Sequence, residues 1–216
     1  MKIEKFIDHT LLNPEATDAQ IVQLCNEAKR HGFFAVCVHP SYTSICVKEL
    51  KESGVKTCVV IGFPTGAYEA EVKAFEAKMA TSKGAQELDM VMNIGALKSK
   101  NHDLVFDDIN AVVNSVKNKA EIKVILECCL LTKEEILNAC EIAIDAGASF
   151  VKTSTGFSSG GAKLKDVRLI KEKVGERIKI KASGGIRDYK TASMMIEAGA
   201  NRIGTSSGIK ILKETR

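Results

Sequence analysis

Two lysines sit where lysine is out of character. Lys152 in VKTSTGF (151–157) and Lys181 in KIKASGGIR (179–187) each interrupt a short apolar, β-branched run. Lysine is almost never fully buried unless paired. A single lysine of this kind can be an outward side chain whose stem lies along a helix. Two at the same level near the ends of successive strands suggest an inward pair, because adjacent parallel strands lie about 4.8 Å apart. At an effective dielectric near 20, two unit charges ~5 Å apart repel by about 3 kcal/mol, roughly two pKa units. Desolvation acts in the same direction, so one amine is expected to be neutral near pH 7. A neutral lysine attacks a carbonyl and forms a Schiff base. Lys179 shares a face with Lys181 by period two but lies deeper, and is expected to be structural or salt-bridged.

Asp89 interrupts a third apolar run, ELDMVMN (87–93). It reads as a counter-ion for a buried lysine, as a carboxylate that shuttles protons during carbinolamine and enamine steps, or as both. Asn93 and Glu127 also fall near strand ends, but neither is distinctive alone. Two glycine-rich turns stand out further on. Ser183-Gly184-Gly185 precedes Ile186-Arg187 and a helix, and Gly204-Thr205-Ser206-Ser207-Gly208 precedes a short C-terminal helix. Backbone N–H groups at such turns bind phosphate. The residues alone leave three chemistries open: a Schiff-base aldolase, a phosphosugar isomerase or epimerase with Asp89 as base, and a non-catalytic phosphosugar-binding protein.

These residues need a scaffold that brings strand ends together. Strand-like runs fall at 7–12, 33–38, 57–63, 87–94, 122–129, 149–154, 178–183 and 202–206. Amphipathic helical patterns alternate with them, at 18–30, 67–82, 104–116, 133–145, 165–174 and 189–197. Thr132 ahead of KEEI carries the capping-box signature. Glycine recurs just ahead of the strands, at Gly32, Gly54, Gly84, Gly147, Gly175 and Gly199. The interval from Gly84 to Gly147 is about two units long. The turn after the first strong strand reads HPSY, without the GxGxxG of a dinucleotide site. Eight such β-then-α units in 216 residues suit one (β/α)₈ barrel spanning residues 1–216 better than a doubly wound sheet. In that fold active sites form where strands end, and phosphate sites follow strands seven and eight.

Composition narrows the function further. The chain has 45% hydrophobic and 27% charged residues, which excludes disordered, collagen-like and coiled-coil classes. Its net charge of +4 comes from scattered basic residues, which argues against a nucleic-acid partner and leaves room for a small anionic ligand. Seven cysteines form no CxxC pair and four histidines are widely spaced, so no zinc-ligand spacing can be drawn and no metal is expected. MKIEKFIDHT has no apolar h-region, and no run reaches the ~20 apolar residues of a membrane span. A reduced, cytoplasmic protein without a membrane segment is the expectation.

The motifs VKTSTGF, KASGGIR, ELDMV and the opening IDHTLLNPEAT together resemble the deoxyribose-phosphate aldolase family, nearly end to end. The resemblance implies a (β/α)₈ barrel that reversibly cleaves 2-deoxy-D-ribose 5-phosphate to D-glyceraldehyde 3-phosphate and acetaldehyde, with no metal or organic cofactor. It makes Lys152 the Schiff-base lysine, Lys181 the lysine that tunes it, and Asp89 the proton-relay carboxylate, a distinction that spacing does not make. It implies phosphate contacts at Gly156, Gly184, Gly185, Gly204, Ser206 and Ser207, and sugar-pocket positions at Asp8, Thr10 and Cys37. It also implies a small phosphosugar as partner, and a homodimer is the expected assembly. One departure lies after the fifth strand, where Glu127-Cys128-Cys129 replaces the usual ETC or ETG.

Overall fold

The computed structural model describes residues 2–117 and 119–215. Eight strands close in sequence order into a parallel barrel, with β8 paired to β1. They are β1 (Ile7–Thr10), β2 (Ala35–Val38), β3 (Lys56–Ile61), β4 (Glu87–Val91), β5 (Glu121–Ile125), β6 (Phe150–Lys152), β7 (Lys179–Ser183) and β8 (Arg202–Thr205). Around them run α1 (Asp18–His31), α2 (Thr43–Glu49), α3 (Ala70–Ser82), α4 (Ile94–Lys98) and α5 (His102–Ser115). The ring continues with α6 (Lys133–Asp145), α7 (Leu164–Val174), α8 (Tyr189–Glu197) and α9 (Gly208–Lys213). This is the (β/α)₈ barrel expected from the alternating pattern.

Period two divides each strand between two environments. Outward side chains such as Val36, Val59, Leu88, Met90, Val124, Val151, Ile180 and Ile203 join the helices in one large apolar core. A small second cluster, with Leu12, Ala35, Cys37, Cys58 and Val60, occupies part of the barrel interior. The rest of the interior combines Ile125 and Phe150 with a charged set: Asp8, Glu87, Asp89, Lys123, Lys152, Lys181 and Arg202 are all buried. An aliphatic filling is the rule for such barrels, so this interior serves something other than packing.

Several boundaries differ from the sequence expectation, each for a local reason. The fifth run stops at Ile125, because Glu127 turns the chain with φ 57° into a 3₁₀ turn at Cys128–Leu130. The short helices α2 and α4 were not expected, and α3 starts at Ala70 rather than at 67. The capping box at Thr132 forms as its spacing predicts, and Thr17 forms a second one at the start of α1. Gly32 is a left-handed C-cap, but Gly175 has φ 58° and ψ −122° and lies outside that region. Lys179 is exposed at the bottom rim, where it pairs with Glu121 at 3.1 Å.

Candidate active site

Register brings the two lysines together. β6 and β7 pair Lys152 with Lys181, so both amines enter the barrel at one level. Both donate to the same oxygen, Asp89 Oδ2, at 2.8 Å from Lys152 Nζ and 2.7 Å from Lys181 Nζ. The lysines are therefore not a bare repelling pair, as the sequence suggested. A carboxylate lies between them, and Lys181 also holds Asp8 Oδ2 at 2.5 Å. Burial alone would lower Lys181, yet Asp8 and Asp89 raise it above the usual lysine range and keep it charged. Burial alone would raise Asp89, but Lys123, Lys152 and Lys181 hold it well below the usual carboxylate range. Asp8, opposed by burial in the same way, is brought down to about 2 by Lys181 and Arg202.

Beneath this layer lies a second that sequence reasoning missed. Asp89 is in register with Lys123 on β5, and Lys123 Nζ meets Asp89 Oδ1 at 2.9 Å and Glu87 Oε2 at 2.6 Å. Arg202 Nη1 reaches Asp8 Oδ1 at 2.8 Å and Glu87 Oε2 at 3.2 Å, with its guanidinium 3.4 Å above the Phe34 ring. Lys123 interrupts an apolar strand just as Lys152 does, and that signal was available in IKVIL (122–126). Cys37 and Cys58 complete the surroundings of Asp89: the Cys58 thiol donates to Oδ1 at 3.0 Å and the Cys37 thiol approaches Oδ2 at 3.8 Å. Cys37, Cys58 and Asp89 gather possible metal ligands within 4.8 Å, as do Asp8, Cys58 and Glu87. Lys123 Nζ contacts members of both groups, an ammonium where a bound cation would otherwise compensate the charge.

Above Lys152 opens a cavity of about 400 Å³. Its walls include Thr10, Gly156, Gly184, Gly185, Gly204 and Ser206, six of the predicted positions, together with Lys152 itself. Asp8, Cys37, Asp89 and Lys181 are fully buried and do not line it. Ser207 does not line it; its amide donates to Thr205 Oγ1 at 2.9 Å and shapes the turn. Arg187 and Phe157 also line the cavity, and neither had been assigned a role. Gly184 has φ 87°, and a Cβ there would fall 2.9 Å from Gly161 Cα, so the turn is closed to larger residues.

Cross-strand hydrogen bonds fix the rim. Ser183 Oγ donates to Ser154 O at 2.6 Å, and Ser183 N donates to Thr153 Oγ1 at 3.1 Å. Glu127 accepts from the Thr155 hydroxyl and from its amide at 3.3 Å, which orients the loop bearing Gly156. The Cys-Cys departure separates into two environments. Cys128 is buried in the helix-facing core, where burial pushes its thiol up, while Cys129 reaches Ser158 Oγ at 3.4 Å on the loop side.

A closed α/β barrel with a buried lysine at the foot of a glycine-rich cavity is compatible with carbon–carbon bond chemistry, and the chain belongs to a family of aldolases. It is a member of the DeoC/LacD family aldolase group, whose profile matches residues 3–214. A deoxyribose-phosphate aldolase of Clostridium tetani is 63% identical over 216 residues, covering all of both chains. That of Clostridium novyi is 57% identical over 216 residues, covering 100% of this chain and 97% of the other. The deoxyribose phosphate aldolase of Aeropyrum pernix, described as tetrameric, superposes with a TM-score of 0.92 at 35% identity, over 99% of this chain and 90% of that one.

Proposed function

We propose that this chain, acting as one barrel domain over residues 1–216, reversibly cleaves 2-deoxy-D-ribose 5-phosphate to acetaldehyde and D-glyceraldehyde 3-phosphate. The observation that carries this reading is Lys152 Nζ, at the base of the cavity and 2.8 Å from a carboxylate that Lys181 also holds. The free Lys152 amine attacks the aldehyde carbon of the open-chain sugar. Loss of water gives an iminium ion, which acts as an electron sink. The C3 hydroxyl gives up its proton toward Asp89, by way of a water, as the C2–C3 bond breaks. Glyceraldehyde phosphate departs, the enamine takes a proton at carbon, and hydrolysis frees acetaldehyde. Lys181 holds Asp89 in place and supplies positive charge beside it. Every step uses side chains of the protein, and no cofactor is called for.

The amides of Gly156, Gly184, Gly185 and Gly204, with Ser206 and the turn at Ser207, hold the phosphate, and Arg187 adds a cation at the same wall. Remote phosphate binding positions the reacting carbon. Thr10 borders the sugar, while Asp8 and Cys37 shape the site from below. The relatives' names, the cradle and the lysine pair support the same substrate, and a cytoplasmic setting fits such a metabolite. A homodimer is the proposed assembly, joined at α3. Val72, Phe75 and Met79 on α3, with Tyr68 just ahead of it, form an exposed apolar patch.

The test is product analysis. Equimolar acetaldehyde and glyceraldehyde 3-phosphate are expected from 2-deoxyribose 5-phosphate, with Lys152→Ala slower by at least ~10³-fold. Turnover of a ketose phosphate in its place would overturn the substrate assignment.

A further inference from the structure

His9 stands on β1 between two residues that serve the site. Asp8 is buried inside the barrel and Thr10 lines the cavity, so by period two His9 points outward, toward α1 and the turn after β8. Its imidazole is buried, with Nε2 2.9 Å from Glu27 Oε2 on α1. The other oxygen of Glu27 accepts from Gln23 Nε2 at 2.9 Å. Burial makes the ring harder to protonate, against the pull of Glu27. In the neutral ring Nε2 carries the hydrogen that the carboxylate accepts, and Nδ1 is left an acceptor. That Nδ1 is buried and has no hydrogen-bond partner. A buried polar atom without a partner is costly, and packing alone gives no reason to place one there.

The unpartnered side of the ring abuts the turn that follows β8. His9 is in register with Thr205. A Cβ on Gly208 would fall 3.1 Å from His9 Nδ1 and 2.9 Å from Phe33 Cζ, so the backbone of the turn rests directly on these two rings. The rings themselves lie 4.9 Å apart. Ser206, by contrast, borders the cavity on one side and on the other a shallow hollow of about 230 Å³, which His9 and Glu27 also line. The tip of the turn therefore has open space to either side, and its backing is His9 with Phe33.

We propose that His9, clamped by Glu27, is a positioning residue that sets the Gly204–Gly208 turn and with it the affinity of the site for phosphate. It acts through the turn and touches neither the substrate nor the reacting atoms. The ring fills the space behind the turn, and the bond to Glu27 fixes its tilt. This rests on the phosphate cradle of the aldolase reading above.

Kinetics on two sugars, with phosphate binding measured beside them, provide the test. In His9→Leu, KM for 2-deoxyribose 5-phosphate is expected to rise about tenfold, with kcat and the turnover of unphosphorylated 2-deoxyribose within about twofold of wild type. The Kd of inorganic phosphate, from isothermal calorimetry, rises by the same factor. Glu27→Ala frees the ring and moves both quantities in the same direction, whereas Glu27→Gln still accepts from Nε2 and keeps the wild-type values. A merely structural role would disturb β1, and Asp8 with it, and lower kcat for both sugars alike. That result, or a phosphate affinity unchanged in both His9→Leu and Glu27→Ala, overturns the proposal. If His9→Leu does not fold by circular dichroism, Glu27→Ala, at a part-exposed helix position, decides the matter. A wild-type protein that binds phosphate but does not cleave the sugar would remove the aldolase reading, and the ratio of phosphate Kd values would then decide this one. A wild type that binds no phosphate overturns it.

Discussion

Asp89 Oδ2 accepts from Lys152 and Lys181 together, so this one oxygen joins the proposed nucleophile to the buried charges around it. In Asp89→Asn the carboxylate becomes an amide of the same shape that cannot take up a proton. We expect kcat to fall by about 10²–10⁴-fold, measured under steady-state conditions with KM close to wild type. The proposed phosphate cradle predicts a different response. A methyl at Gly184 meets Gly161 Cα at 2.9 Å, and φ 87° strains any side chain there. Gly184→Ala is expected to raise KM for the phosphorylated sugar roughly tenfold or more, with little change for unphosphorylated 2-deoxyribose. At this scale the sequence was informative wherever a charged residue broke an apolar strand near its end. Lys152, Lys181 and Asp89 were found that way. Lys123, Glu87 and Arg202 show the same signal but lie deeper, and only the strand register shows that they face the same interior.

The elements that carry the site are held from outside by a second buried ion pair. Lys73 on α3 donates to Asp108 on α5 at 2.7 Å and to Val91 O at 3.0 Å, and Asp108 accepts from Asn93 N at 2.9 Å. These bonds fasten two helices to the end of β4, the strand of Asp89. Burial lowers Lys73 and raises Asp108, opposed in each case by the partner's charge, so neither tolerates being left alone. Lys73→Met is expected to cost about 3–5 kcal/mol in urea unfolding, and Lys73→Met with Asp108→Leu to recover most of that loss. None of this was visible in the sequence, because Lys73 lies on an exposed-looking helix whose apolar stripe faces outward. Helices with caps, such as α1 and α6, were placed closely. The short helices α2 and α4 carry too little periodicity to be found, whereas α9 is the short C-terminal helix expected after the last glycine-rich turn.

For the whole molecule, alternation of eight apolar runs with amphipathic segments was enough to place the barrel, since few scaffolds use that many units in this length. The full extent of the ionic interior emerges only from the strand register, and it has a consequence for stability. Asp8 titrates at about 2 in the folded protein and Asp89 well below its ordinary value, against about 3.9 unfolded. Folded values below unfolded ones mean that the stabilisation is present above about pH 4 and is lost as pH falls toward 2. Urea unfolding at pH 5 and pH 2.5 should show a marked fall in midpoint at the lower pH. The assembly gives a separate expectation. Phe75 is 65% exposed at the centre of the α3 stripe, and Phe75→Glu should convert a dimer to monomers in sedimentation analysis. A wild-type monomer at micromolar concentration would remove that interface.

The central claim is that Lys152 forms a Schiff base, and borohydride trapping tests it most directly. Reduction in the presence of acetaldehyde or 2-deoxyribose 5-phosphate, followed by peptide mass mapping, is expected to leave the adduct on Lys152 and none in Lys152→Ala. An adduct on Lys181 instead, or none at all while ligand still binds, would contradict the account.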